Sequence, residues 1–327
     1  MEGVAMKLIL DLDTGIDDAL ALAYALASPE AELIGITGTF GNVPMEQGIA
    51  NDLELLELFG RPDVPVFRGI DHPSWSESFT VMPASGRFHG TNGTGDVAIP
   101  HVEGSTPATL SGMPAVDFII DAVRANEPDD LMIVPTGAST NIAAALKAAP
   151  DIVGKARITM MGGALTQPGN VTPFAEANIA QDPEASAALV MSGARITMIG
   201  LDVTTQVKLT REQAEEFRAT GTAAGAFLAD MLAYYIDATE TSEPYSAPGC
   251  NLHDPLAVAA ALDPALVSTF ACDIAVDVDG AGRGRTIGDP KRVGCPSGRV
   301  KVALSVDAER FVDRFMERTL DLVRRGC

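Results

Sequence analysis

Along most of the chain, short apolar runs rich in β-formers alternate with Ala- and Leu-rich segments of helical period. Strands are expected at 7–10, 33–40, 131–135, 156–161 and 195–200, separated by helices at 18–28, 46–59, 115–125, 141–148 and 183–192. Strand, helix, strand is the repeating unit of a parallel sheet, and it puts helices on the faces of that sheet. Runs such as LMIVP and ITMMG are apolar throughout instead of alternating, as strands covered on both sides must be. The expected fold class is therefore α/β: a mainly parallel, doubly wound, Rossmann-like sheet flanked by helices. No repeat or low-complexity linker divides residues 1–327, so one domain is expected. Residues 62–110, rich in Pro, Gly, Ser and His, read as a long loop of the lid or binding kind. Residues 211–238 read as helix. Near the C-terminus, FACDIAVDVDG and GRVKVALSV bracket a Gly-rich turn in a hairpin-like insertion, and 307–325 reads as a closing amphipathic helix with its arginines in solvent.

Charge excludes whole classes of partner. Lys and Arg total 23 against 44 Asp and Glu, a formal charge of -21, so the surrounding field repels nucleic acid and anionic lipid. No stretch approaches the roughly 20 apolar residues of a membrane span, and the first residues lack a basic region followed by a long apolar one. A cytoplasmic protein is expected, with no nucleic-acid or membrane partner. Cys250, Cys272, Cys295 and Cys327 are widely spaced, with no CxxC pair, and read as reduced thiols.

One stretch departs from this ordinary composition. DLDTGIDD, 11–18, places Asp11, Asp13, Asp17 and Asp18 where the first strand turns into the first helix. A helix N-terminus stabilises an anion by up to about 1 kcal/mol, which accounts for one or two of them. Two carboxylates about 4 Å apart repel by ~4 kcal/mol at an effective dielectric near 20, so keeping three or four ionised needs a cation or strong donors. Oxygen-only ligands suit Ca²⁺ or Mg²⁺ better than zinc. DLDTG after an apolar strand also resembles the haloacid dehalogenase-type phosphatases, Mg²⁺ enzymes whose first Asp is a nucleophile. That reading leaves Asp17 and Asp18 unused, and no convincing acidic pair stands at a later strand end.

In open α/β sheets ligands sit outside the carboxyl ends of the strands. There the sequence offers Asn42 after the second strand, Thr136 after LMIVP, and Asn170, Glu176 and Asn178 after ITMMG. These amides and carboxylates suit a polyhydroxylated ligand; a phosphate calls for Lys, Arg or a GxGxxG loop. Asn141 and Asp182 read as helix starts and nothing more. Asp254, before Pro255, has the same look, but His253 precedes it, and the pair equally suits an acid beside a metal ligand. His89, in FHGTNGTGD, can be carried over a pocket by its Gly-rich loop, while His72 and His101 flank prolines as ordinary loop residues.

Taken together, DLDTGIDDALAL, GITGTFGN, HGTNGTG, PTGASTNIA, GNVTPFAEANIAQDPEA and LHDPLAVA resemble the inosine-uridine preferring nucleoside hydrolases, in that family's order over nearly the whole chain. The resemblance implies cleavage of the N-glycosidic bond of ribonucleosides with a tightly bound Ca²⁺, by direct water attack, in a homodimer or homotetramer. By motif position it implies Asp13, Asp18, the Thr136 carbonyl and Asp254 as metal ligands. Asp13 is also the implied base, with Asp11 supporting it and His253 as leaving-group acid. Asp17, Asn42, Asn170, Glu176 and Asn178 match ribose-binding positions, Met161 lies near the sugar, and His89 matches a histidine over the nucleobase. Keeping both histidines leans toward pyrimidine or inosine and uridine substrates, although Tyr234 and Tyr235 could stack a purine. Three positions depart from the common pattern: Ala177 in place of an aromatic near the sugar, Thr14 for a frequent Pro and Asn92 for a frequent Asp. A Ca²⁺-stabilised nucleoside or sugar binder without turnover is the non-catalytic alternative.

Overall fold

The computed structural model describes residues 5–289, 291, 292, 295 and 298–325. Nine strands form its central sheet: β1 (Met6–Leu12), β2 (Ala31–Gly38), β3 (Val66–Arg68), β4 (Leu110–Ser111), β5 (Leu131–Pro135), β6 (Arg157–Met161), β7 (Arg195–Ile199), β8 (Val267–Cys272) and β9 (Val300–Val306). Their order is β8-β9-β7-β6-β5-β1-β2-β3-β4. Every neighbouring pair is parallel except β8 and β9. The chain thus builds outward from β1 through β4, then returns to the other side of β1 with β5. Such a reversal opens a crevice beyond the carboxyl ends of the two central strands.

Twelve helices accompany the sheet: α1 (Ile16–Ala27), α2 (Met45–Leu58), α3 (Pro83–His89), α4 (Ala115–Ala125), α5 (Thr140–Ala148), α6 (Ala177–Gln181), α7 (Pro183–Met191), α8 (Leu201–Thr204), α9 (Arg211–Arg218), α10 (Ala223–Ser242), α11 (His253–Leu262) and α12 (Ala308–Arg325). Side chains alternate along a strand, and β1 shows why helices are needed on both faces. Its Leu8, Leu10 and Leu12 enter a core shared with α1, α10, α11 and α12, while Ile9 enters a separate core with α4, α5 and α7. All four are fully buried.

Three sequence expectations need correction. Residues 211–238 are two helices: Gly221 adopts a left-handed φ of 74°, and the Thr222 hydroxyl then caps α10 by accepting the Gly225 N–H at 3.0 Å. The 62–110 segment is not wholly loop, since it contributes β3, β4 and α3, a short helix with Pro83 in its first turn and His89 as its last residue. In the closing helix, Arg314 and Arg318 are only partly in solvent. Arg318 lies over the Tyr24 ring, 5.5 Å from its centroid, and donates to Ser28 Oγ and Glu30 Oε1, both at 2.8 Å. Arg314 pairs with Asp263 at 2.9 Å. The C-terminal hairpin forms as Ile274–Val276 against Thr286–Gly288, and its flanks join the main sheet as β8 and β9. Cys250, Cys272 and Cys295 form no disulfide, and Cys327 lies outside the described residues. Among the described residues no helix is long and apolar enough to cross a membrane.

Arg318 fastens α12 to the end of α1 through three groups at once. Arg318→Ala is expected to lower the unfolding free energy by about 1–2 kcal/mol, whereas Arg324→Ala, at an exposed position, stays within about 0.5 kcal/mol. Urea unfolding followed by circular dichroism measures both.

Candidate active site

The site begins at the carboxyl end of β1. Asp11 sits opposite Thr37 of β2 and Pro135 of β5. Its Oδ1 accepts from Thr37 Oγ1 at 2.5 Å and from Asn141 Nδ2 at 2.8 Å, while Oδ2 is buried without a partner. Burial pushes its pKa up to about 7 despite those donors. Asn141 therefore does more than start a helix. It also donates to the Gly38 carbonyl at 3.1 Å and accepts from the Ile70 N–H at 2.8 Å, tying β1, β2 and the loop after β3 together.

Asp13 stands one residue past the strand, completely enclosed. Its Oδ2 accepts the Asn42 N–H at 2.7 Å, and Oδ1 has no partner. Enclosure is possible because its neighbours lack side chains: a Cβ on Gly41 would lie 1.9 Å from Asp13 Oδ2, and one on Gly137 3.0 Å from Asp13 Cβ. Burial, with the Asp18 charge second, holds its carboxyl well above the usual range.

The first turn of α1 supplies the next pair. Asp18 Oδ2 accepts the Gly15 N–H at 2.8 Å and Asn42 Nδ2 at 3.2 Å, and its Oδ1 accepts the Thr136 hydroxyl at 2.6 Å. Asp17 Oδ1 has no hydrogen bond and lies 3.8 Å from Nδ1 of His89; burial and the Asp18 charge raise its pKa to about 8. Asp254 is the second residue of α11 and not its cap, and burial with the charges of Asp17, Asp18 and Asp13 raises its carboxyl well above normal. Carboxylate oxygens of Asp17, Asp18 and Asp254 all lie within 4.8 Å of one another. Asp13 is not among those three, although its free Oδ1 belongs to the same charge cluster.

These groups fit a hard divalent cation. Asp11, Asp13 and Asp17 each bury an oxygen with no donor, and among the described residues no Lys or Arg forms an ion pair with any of the cluster. Without a counter-charge such carboxylates hold their protons, which is the direction of every shift here.

Above the carboxylates lies an open cleft of about 90 Å³. Asp17, Asn42, Thr136, Met161, Asn178 and Asp254 line it. Asn178 Nδ2 donates to the Thr136 carbonyl at 2.6 Å and to the Met161 carbonyl at 3.2 Å. Glu176 caps α6: Oε1 accepts the Asn178 N–H, and Oε2 accepts from Gly163 and Ile179. Asn170 is exposed at the rim and accepts the Ala177 N–H at 2.9 Å. Ala177 itself lines the cleft, so a methyl group forms the wall at that point.

Two imidazoles and two aromatic rings also line the cleft: His89, His253, Phe88 and Tyr235. His89 Nδ1 accepts the Ile16 N–H at 3.1 Å, which leaves the proton of the neutral ring on Nε2. The packing is close, since a Cβ on Gly15 would sit 2.7 Å from that nitrogen and 2.6 Å from Asn42 Nδ2. His89 lies 5.7 Å from the Tyr235 ring, centre to centre. His253 opens α11 with Nδ1 2.7 Å from Thr204 Oγ1. Burial pulls the His89 pKa down to about 3 and that of His253 to about 4, the latter helped by the Lys208 ammonium.

The residues given catalytic, metal-binding or substrate-binding parts from the sequence lie together, and of the two tyrosines Tyr235 lines the cleft while Tyr234 does not. Asn42, His89, Thr136, Met161, Asn170, Glu176, Asn178, His253, Asp17 and Asp254 line the cleft; Asp13 and Asp18 lie beneath it, bonded to Asn42 and Thr136. Sequence reasoning missed Asn141, Thr37 and Thr204, whose partners lie 26 to 130 positions away.

The family model for inosine-uridine preferring nucleoside hydrolase matches residues 8–313. A solved structure of a purine-preferring ribonucleoside hydrolase from Gardnerella vaginalis superposes with a TM-score of 0.93 at 53% identity, covering 98% of this chain and 99% of that one. The pyrimidine-specific ribonucleoside hydrolase RihA of Citrobacter koseri is 34% identical over 317 residues, 96% of this chain and 98% of the relative. The inosine-uridine preferring nucleoside hydrolase of Leishmania major is 35% identical over 311 residues, covering 93% and 94%. A match of this extent sets aside the phosphatase reading of DLDTG. The chain belongs to the inosine-uridine preferring nucleoside hydrolase family, whose members hydrolyse the N-glycosyl bond of ribonucleosides.

Proposed function

We propose that this protein is a Ca²⁺-dependent ribonucleoside hydrolase whose catalytic unit is a single domain, releasing nucleobase and ribose by direct attack of water on C1′. The observation that carries the reading is the make-up of one cleft: buried carboxylates with unpaired oxygens, two neutral imidazoles and aromatic rings meet there. Asp13, Asp18, Asp254 and the Thr136 carbonyl would hold the cation, an all-oxygen set suited to Ca²⁺. When bound, Ca²⁺ makes water a better nucleophile and offers the vicinal ribose hydroxyls a ligand site.

The chain's own groups account for the rest. Asp13 Oδ1, free of other donors, takes a proton from the attacking water. Asp17, whose Oδ1 is equally free, accepts from a ribose hydroxyl, with Asn42, Asn170, Asn178 and Glu176 around the sugar and Met161 beside it. As the C1′–N bond breaks, its electron pair leaves with the base and the sugar gains oxocarbenium character, which nearby carboxylates stabilise. His253 is the leaving-group acid of this reading, its neutral ring donating the Nε2–H to the departing base as a hydrogen bond, and His89 lies over the base. The proton that Asp13 takes from water and later releases to solvent is matched by the one the departed base gains from solvent, so the imidazole keeps its own. Two histidines favour pyrimidine ribosides, inosine or uridine. The 53%-identical neighbour is named purine-preferring, so the kcat/KM ratio of inosine to uridine is the measurement that separates these preferences.

Incubation with uridine, cytidine, inosine and adenosine is expected to release free ribose, with turnover abolished by EDTA and restored by Ca²⁺. Asp13→Ala should lose at least about 10³-fold in kcat. Tight nucleoside binding without ribose release would establish the binder instead. A separate readout concerns the cation alone. Adding Ca²⁺ at ~100 times its Kd to chelator-stripped protein should stabilise it by about 2.7 kcal/mol in a thermal melt, and Asp18→Asn or Asp254→Asn should remove most of that gain.

A further inference from the structure

Behind His253, and off the cleft wall, lies a hydroxyl that none of the roles above uses. Thr204 ends α8, the single turn that follows β7, and is fully buried. That turn is held from several sides. The Leu201 N–H donates to the Gly163 carbonyl at 2.8 Å, and the Asp202 carboxylate accepts the N–H groups of Leu165 and Thr166 at 2.8 and 2.6 Å. Gln206 Nε2 donates to the Asp202 carbonyl at 2.6 Å. Thr204 Oγ1 is therefore set in a rigid frame, 2.7 Å from Nδ1 of His253, and this is its one hydrogen bond among the described residues.

The two possible directions of that bond are not equivalent. If Nδ1–H donates to Oγ1, the hydroxyl proton is left in a fully buried place with no acceptor and bears its whole desolvation cost. If the hydroxyl donates to Nδ1, both groups are satisfied and the neutral ring carries its proton on Nε2. His253 lines the cleft and Thr204 does not, so Nε2 is the nitrogen left to the ligand.

We propose that Thr204 is a positioning residue: its hydroxyl, donating to Nδ1, fixes His253 as the Nε2–H tautomer with that N–H turned toward the departing base. The proposal rests on the reading of the cleft as an N-glycosidase site. It gives a residue outside the cleft a defined part in leaving-group departure, with α8 as the strut between the loop at 163–166 and the imidazole.

The test compares two leaving groups. A nucleoside base needs a hydrogen-bond donor as it departs, whereas the nitrophenolate of 4-nitrophenyl β-D-ribofuranoside leaves without one. Thr204→Val should lower kcat on inosine or uridine by about 10- to 100-fold, leave KM within about threefold and keep the nitrophenyl riboside rate within about threefold; Thr204→Ser should restore nucleoside turnover. Equal loss on both substrates, or no loss on either, overturns the proposal. Imidazole ¹⁵N shifts of His253 in the wild-type protein test it without any variant: an Nε2–H pattern supports it and an Nδ1–H pattern refutes it. Failure of the wild type to cleave either riboside would instead defeat the hydrolase reading, and the tautomer would still be readable.

Discussion

Several carboxylates held out of water at the end of one strand are the constraint on which the rest of the structure turns. Desolvation and mutual repulsion both oppose their ionisation, so the surroundings must supply donors, room for a cation, or both. The donors come from every neighbouring element: Thr37 on β2, Asn141 on α5, the Asn42 N–H after β2, the Gly15 N–H before α1 and the Thr136 hydroxyl after β5. The room comes from Gly41 and Gly137, where any side chain would occupy the space of Asp13. Sheet order makes this convergence possible, because β2 and β5 flank β1 and all three run the same way.

The cleft above that cluster combines two kinds of group. Carboxylates short of donors share its lining with two imidazoles that burial keeps neutral. A ligand that becomes positive at one part and sheds electron density at another is matched by such a set, and most of the matching groups are fixed before any ligand arrives. Their fixing is economical: the Ile16 N–H that opens α1 also orients His89, and the turn carrying Thr204 also anchors the loop that leads to Asn170 and Glu176.

Much of this was legible in the chain. LMIVP could only be a strand covered on both faces, and DLDTGIDD announced a cation site because carboxylates at that spacing repel one another unless a positive charge joins them. What stayed hidden has a common cause. Asn141 looks like a helix start because its partner Asp11 is 130 residues distant. Arg318 looks like a solvated residue on an amphipathic helix because nothing local indicates that Tyr24, Ser28 and Glu30 will meet it. The break between α9 and α10 was in principle readable at Gly221 and Thr222, but the apolar period on both sides masks it.

The sequence by itself determined the class of fold, the cluster of aspartates and the identity of the polar residues at strand ends, since period and composition act over a few residues. Only the tertiary structure decided which carboxylate oxygens remain without donors, which tautomer His89 adopts and where Thr204 stands relative to His253. Those outcomes depend on distances between elements far apart in the chain, and on burial, which acquires a value only when the faces of the sheet are covered.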